Sequence, residues 1–139
     1  MSDMVNHPEH YQSPVGEVVD VIERWGLGFC LGNALKYICR AGKKPGADRK
    51  EDLEKALFYI RRAINNREYC GPGTYMLSTP YSEEMLPYSF EVAEAFCLPE
   101  MLSFAVNALY DYVTTFEKDE LKWVETYVYE ELNGGNENE

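Results

Sequence analysis

Apolar residues recur at helical spacing along most of this chain. Between residues 17 and 25, Val18, Val21, Ile22 and Trp25 stand at i, i+3, i+4 and i+7, while Glu17, Asp20 and Arg24 gather on another side, which predicts a first helix. Gly26 and Gly28 then break the pattern. A second helix is expected over residues 29–40, where Leu27, Leu31, Ala34, Leu35 and Ile38 fall in one arc and Asn33, Lys36, Tyr37 and Arg40 in the opposite arc. Gly42 and Pro45 mark its end, as a C-capping glycine and a helix-incompatible residue just beyond. The third helix, from residue 48 or 49 to 65, carries an unbroken stripe of Leu53, Ala56, Leu57, Ile60, Ala63 and Ile64. Asp48 and Glu51 have the spacing of a capping box with Asp48 as N-cap. Residues 67–88, with a Cys-Gly-Pro-Gly stretch and three prolines, are expected to be loop. Helices are expected again over 90–96, 98 or 99–116, and 118–132, and the tail 133–139 is expected to be disordered.

The halves resemble one another. A shift of 74 residues sets Glu17 to Ile22 on Glu91 to Phe96 and Asn33-Ala34-Leu35 on Asn107-Ala108-Leu109. A shift of 68 sets Leu53, Tyr59, Ile60 and Ile64 on Leu121, Tyr127, Val128 and Leu132. The expected fold is therefore all-α, a compact single domain (1–139) of about six helices, read as a degenerate duplication of a three-helix unit: 4–66, then the loop, then 89–132. Chance likeness between amphipathic helices is the competing explanation. In this alignment Lys36 and Arg40 correspond to Tyr110 and Thr114, and the Gly-Lys-Lys turn has no counterpart, so the cationic residues belong to the first copy.

Charge sharpens that contrast. Thirteen Lys and Arg stand against twenty-four Asp and Glu, a net −11. Residues 1–70 hold eleven basic and ten acidic residues, and residues 71–139 hold two basic and fourteen acidic, so the halves stand at +1 and −12. Overall acidity argues against coating duplex DNA or an anionic membrane, both of which depend on many basic contacts. An anionic ligand is expected on the first half. Nothing reads as a membrane span or signal peptide, which predicts a soluble protein of the host cell cytoplasm. Cys30, Cys39, Cys70 and Cys97 lack metal-ribbon spacing and read as reduced core thiols. Eleven tyrosines, among them Tyr110, Tyr112, Tyr127 and Tyr129, suit a subunit interface and predict a homo-oligomer.

The candidate binding residues follow from the first copy. Asn33, Lys36, Tyr37 and Arg40 form a polar stripe, with Lys43 and Lys44 directly after; Asp52, Lys55, Tyr59 and Arg62 share a face of the third helix. Guanidinium and ammonium groups are the material of phosphate recognition, and Tyr37 or Tyr59 can stack on a base. The competing reading is a solvated face paired with Glu51, Asp52 and Glu54. His7 and His10 supply too few ligands for zinc but suit proton handling or donation to a phosphate. No metal site is expected. P-loop, GxGxxG, GxSxG and HExxH motifs are absent. The paired ExxE and ExxD motifs of all-α pyrophosphohydrolases have one half-match, Glu17-x-x-Asp20, whose partner position carries Asp52-x-x-Lys55.

Val5 to Tyr11, Glu17 to Glu23, Gly32 to Lys44 and Glu51 to Ala56 together resemble a small bacteriophage family usually left as a domain of unknown function, over residues 4–66. A member of that family is a nucleoside monophosphate kinase without a P-loop. The resemblance implies phosphoryl transfer from a nucleoside triphosphate to a deoxynucleoside monophosphate, with magnesium entering with the nucleotide. It implies catalytic roles for Lys36, Arg40 and His10, with Lys43 also on the phosphates. Asn33 and Tyr37 fall to base or sugar, His7 or His10 to the phosphate edge or to proton handling, and Asp20 and Asp52 to orienting the cations or a magnesium ion; Tyr11, Lys44, Lys55 and Tyr59 complete the nucleotide-binding set. Two other readings stay open: a pocket that sequesters a nucleotide-derived host immune signal without turnover, and an acidic protein that inhibits a host protein through its second half.

Overall fold

The computed structural model describes residues 15–43, 48–66 and 87–137. Their helices, in chain order, are α1 (Val18–Trp25), α2 (Phe29–Arg40), α3 (Arg49–Asn66), α4 (Ser89–Ala95), α5 (Glu100–Thr115) and α6 (Asp119–Glu137). No strand occurs among the described residues, and the expected all-α class with six helices holds. Most of the segment expected to be loop lies outside the described residues.

Local chemistry sets the helix ends. Asp20 accepts the Glu17 backbone N–H at 2.8 Å while the Glu17 side chain accepts from the Asp20 backbone, so Glu17-x-x-Asp20 is a capping box that closes the start of α1. Asp48 accepts the Lys50 N–H at 2.9 Å at the start of α3, and Glu51 reaches forward to Lys55 rather than back to the cap. α6 runs past residue 132, where the apolar stripe ends, and Asn133 Nδ2 satisfies the Tyr129 carbonyl at 2.9 Å.

α2 packs on α3 and α5 on α6; α1 covers α2, α4 covers α5, and α3 against α6 joins the pairs. Trp25, Leu31, Leu35, Ile38, Leu53, Ile60, Leu102 and Leu109 are fully buried in one core, each contributing about 1.5–3 kcal/mol through burial. Trp25 bridges the units: its Nε1–H donates to the Pro87 carbonyl at 2.9 Å and its ring lies 5.5 Å from that of Tyr110. Arg61 pairs with Glu125 at 2.6 Å and Arg49 with Glu131, tying α3 to α6. No helix among the described residues is long and apolar enough to cross a membrane.

A repeat is visible in the backbone, in a different register from the one expected. The bonds Asp20 N to Glu17 O, Val21 N to Glu17 O, Gly26 N to Glu23 O, Leu27 N to Ile22 O and Gly32 N to Gly28 O recur 71 residues later, as Glu91 to Tyr88, Val92 to Tyr88, Cys97 to Glu94, Leu98 to Ala93 and Ser103 to Pro99. The left-handed residue between the first two helices recurs too, Gly26 at φ 67° and Cys97 at φ 53°. A shift of 74 is therefore three residues too long for this pair. Amphipathic helices look nearly alike after a slip of three positions, so only the non-helical junction fixes the register. At 71, Arg40 corresponds to Asp111 and Lys36 to Asn107, not to Thr114 and Tyr110. The shift of 68 holds for α3 and α6, where Leu53, Ala56 and Ile60 match the equally buried Leu121, Val124 and Val128.

Candidate functional site

The polar stripe of α2 meets the polar face of α3 outside the core. Tyr37 and Tyr59 stack nearly parallel, ring centres 6.1 Å apart at 6°. Three cations surround the Tyr37 ring: Lys36 Nζ at 4.7 Å, Arg40 Cζ at 5.2 Å and Lys55 Nζ at 5.5 Å from its centre. Each such contact contributes about 0.5–1 kcal/mol at an exposed site, and the electron-rich ring face offsets part of the cations' mutual repulsion. Two carboxylates offset more. Glu51 lies 3.1 Å from Lys55 and holds its ammonium above the usual lysine range, chiefly by hydrogen bonding.

Asp52 is the unusual member. It is 2% exposed, and its Oδ1 lies 3.4 Å from Arg40 Nη2. Its Oδ2 and the Arg40 Nε are both buried without a hydrogen-bond partner. Buried polar atoms are ordinarily satisfied, so this half-made fork keeps one acceptor and one donor unused beside the cation cluster.

Of the residues singled out in the sequence, the structure gathers Lys36, Tyr37, Arg40, Asp52, Lys55 and Tyr59. Asn33 is half-buried on α2 and spends its amide N–H on the Phe29 carbonyl at 2.8 Å. Lys43 turns to the main chain, donating to the Cys39 carbonyl at 2.7 Å and to the Phe96 carbonyl, so it caps α2 and ties it to the end of α4. Burial pulls its ammonium below the usual lysine range, against the opposing effect of the Cys39 and Cys97 thiols. His7, His10, Tyr11 and Lys44 lie outside the described residues. Phe29 and Phe58 are additions that periodicity did not single out. Phe29 is 74% exposed with its edge on Tyr59 at 5.9 Å, and Phe58 meets Tyr59 at 5.2 Å.

Together these groups form an aromatic cluster with three positive charges over the Tyr37 ring, a combination with the chemistry to meet a planar ring carrying a phosphate. Among the described residues no three His, Cys, Asp or Glu side chains converge, Asp20 caps α1, and Asp52 is paired with Arg40. Cys30 and Cys39 are buried and Cys97 is exposed; burial pushes the Cys39 thiol up to about 12, which keeps it protonated and unreactive.

Residues 5–61 match DUF3310, a family of unknown function. The match takes in α1, α2 and most of α3, and with them every member of the cation and tyrosine cluster; α4 to α6 lie beyond it. The Gene 1.7 protein of Enterobacteria phage T3 is 42% identical over 73 residues, which cover 48% of this chain and 45% of that protein. The match thus spans about half of either chain. No solved structure matches. The similarities support a bacteriophage origin and a small phage domain of unknown function in the first half.

Proposed function

We propose that the α2/α3 face binds a nucleotide and that the protein moves the terminal phosphoryl group of a nucleoside triphosphate to a deoxynucleoside monophosphate. One observation carries the reading: three cations arranged around a tyrosine that is itself stacked on a second tyrosine. Lys36, Arg40 and Lys55 neutralise phosphate charge, and Tyr37, Tyr59 and Phe29 hold the base by stacking. The matched family segment contains all six residues, which supports placing the activity in the first helical unit.

In the transfer, an oxygen of the acceptor's phosphate forms a bond to the terminal phosphorus of the donor as the bond to the bridging oxygen breaks. The products are a nucleoside diphosphate from each substrate. Little covalent chemistry is asked of the protein, so positioning and charge neutralisation supply the rate. Magnesium enters as the triphosphate's own counter-ion and neutralises phosphate charge. Asp52 positions Arg40 through its ion pair. His10 is assigned to proton handling, and His7, Tyr11 and Lys44 to the phosphate edge; Lys43 is reassigned to joining α2 and α4.

The test is incubation of the purified protein with deoxynucleoside mono- and triphosphates and magnesium, with products separated by ion exchange. Diphosphates should form at catalytic turnover, and Lys36→Ala should reduce turnover by roughly a hundredfold, the loss typical of removing one charge-stabilising donor. Return of the nucleotide tightly held but unchanged would replace transfer by sequestration of a nucleotide-derived signal. Absence of any nucleotide binding would sink the reading and turn attention to the acidic half and a protein partner.

A further inference from the structure

We infer that a second copy of this chain completes the nucleotide face, seating the exposed aromatic face of its α5 and α6 against α2 and α3 of the first. The inference rests on the proposed nucleotide site for what the contact does; the contact itself stands on separate observations.

The first is an apolar surface where none is needed for folding. Phe104 on α5 and Trp123 on α6 are 42% and 51% exposed, and both meet Tyr127, at 5.5 and 5.8 Å between ring centres. Two exposed aromatic rings meeting over a half-buried third leave apolar surface in water and have the composition of an interface core.

The second is where the duplication puts that surface. In the registers fixed above, Phe104 corresponds to Asn33, Trp123 to Lys55 and Tyr127 to Tyr59, so the patch is the second unit's version of the cationic face. Charge is inverted between them. Arg40 corresponds to Asp111 and Asp52 to Glu120, and the charge of Asp111 neighbours that of Glu120. Glu100, one helical turn before Phe104, adds a third acid to the same side of α5.

The third is complementarity. Patch against patch would bring two Asp111–Glu120 pairs together, an unfavourable juxtaposition of like charge. Patch against the α2/α3 face instead sets Glu120 toward Lys55 at the edge of the cluster and aromatic rings toward the exposed Phe29, leaving Lys36 and Arg40 to the phosphate. The open face of the first unit then acquires a second wall, and a base held on Tyr37 and Tyr59 is covered by the partner's rings. Reciprocal use of both faces closes a dimer, whereas one-way use builds a chain.

The test uses the full-length protein, whose two tryptophans differ in exposure. Trp25 is fully buried, so acrylamide quenching of fluorescence reports on Trp123. Sedimentation and quenching are followed from micromolar to millimolar protein, in low and high salt. Association should shield Trp123 and weaken as salt rises. Trp123→Ala should give a folded monomer whose retention of a deoxynucleoside monophosphate falls about tenfold, the affinity equivalent of ~1.4 kcal/mol. Lys55→Glu should abolish association, and combination with Glu120→Lys in the same chain should restore it. A monomer at every concentration, shielded or not, overturns the inference, as does an oligomer in which Trp123 stays fully quenchable. Unchanged nucleotide retention by monomeric Trp123→Ala overturns completion of the site by the partner. Association with the expected salt and variant behaviour but no nucleotide retention leaves the contact standing and removes the proposed site.

Discussion

Arg40 holds a buried carboxylate and is proposed to meet a phosphate, and the first role can be measured without any ligand. Asp52 and Arg40 make one contact of 3.4 Å, with side chains 3% and 34% exposed. A surface ion pair contributes about 0–1 kcal/mol, whereas removing one partner from a fully buried pair costs about 3–5 kcal/mol. The length of the contact and the solvent reaching Arg40 put Arg40→Ala between these limits, at about 2 kcal/mol of lost stability. For a chain of this size that lowers Tm by roughly 7 °C. The loss comes mainly from the carboxylate left behind. Arg40→Ala combined with Asp52→Asn, which keeps the shape and removes the charge, should therefore recover about half of it. Urea unfolding of the wild type, both single variants and the double variant gives the complete cycle. An Arg40→Ala loss below about 0.5 kcal/mol, or a double variant no more stable than the single one, would refute the reasoning that Arg40 supports a buried charge.

Two further outcomes follow from the repeat and its acids. Gly26→Ala places a side chain at φ 67° and should cost about 1 kcal/mol, while Cys97→Gly, at φ 53°, should gain about 0.5 kcal/mol; thermal unfolding of the pair checks that both junctions are built alike. Glu120 has its carboxyl held above the ordinary range by burial, by the neighbouring Asp111 charge and by its hydrogen bond to Asp111. The folded state therefore keeps the proton more readily than the unfolded chain, and stability falls as pH rises through the unfolded and then the folded pKa. Glu120→Gln should raise Tm at pH 7 and leave it unchanged at a pH below the ordinary carboxylate range; an equal effect at both would contradict the crowding of the two carboxylates.

Much of this architecture is legible in the residue pattern, and the exceptions share a cause. α2 begins and ends where Gly28 and Gly42 punctuate an uninterrupted apolar arc, so its expected and observed limits coincide. The repeat was visible but its register was not, because a three-residue slip preserves the face of a helix and only the Gly26 and Cys97 junctions reveal it. Lys36, Tyr37, Arg40, Lys55 and Tyr59 were found because each lies off its helix's apolar stripe. Lys43 reads the same way from sequence, yet its ammonium serves the carbonyls of Cys39 and Phe96, the second of which is 53 residues away. Glu17-x-x-Asp20 has the spacing of a metal motif and the geometry of a cap, two uses that helical spacing alone does not separate. Phe29 and Phe58 carry neither charge nor a place on their helices' apolar stripes, so the residue pattern does not single them out; both are exposed.

The proposed nucleotide site consists of the tyrosine pair and its three cations. The most direct measurement is a single-turnover reaction with a triphosphate labelled in its terminal phosphoryl group and a panel of deoxynucleoside monophosphates, run beside Lys36→Ala and a Tyr37→Leu variant whose folding is verified by urea unfolding. The account predicts label in a deoxynucleoside diphosphate, transfer lost with Lys36→Ala, and acceptor affinity lost with Tyr37→Leu. Label that never leaves the triphosphate, or transfer untouched by both substitutions, would contradict it.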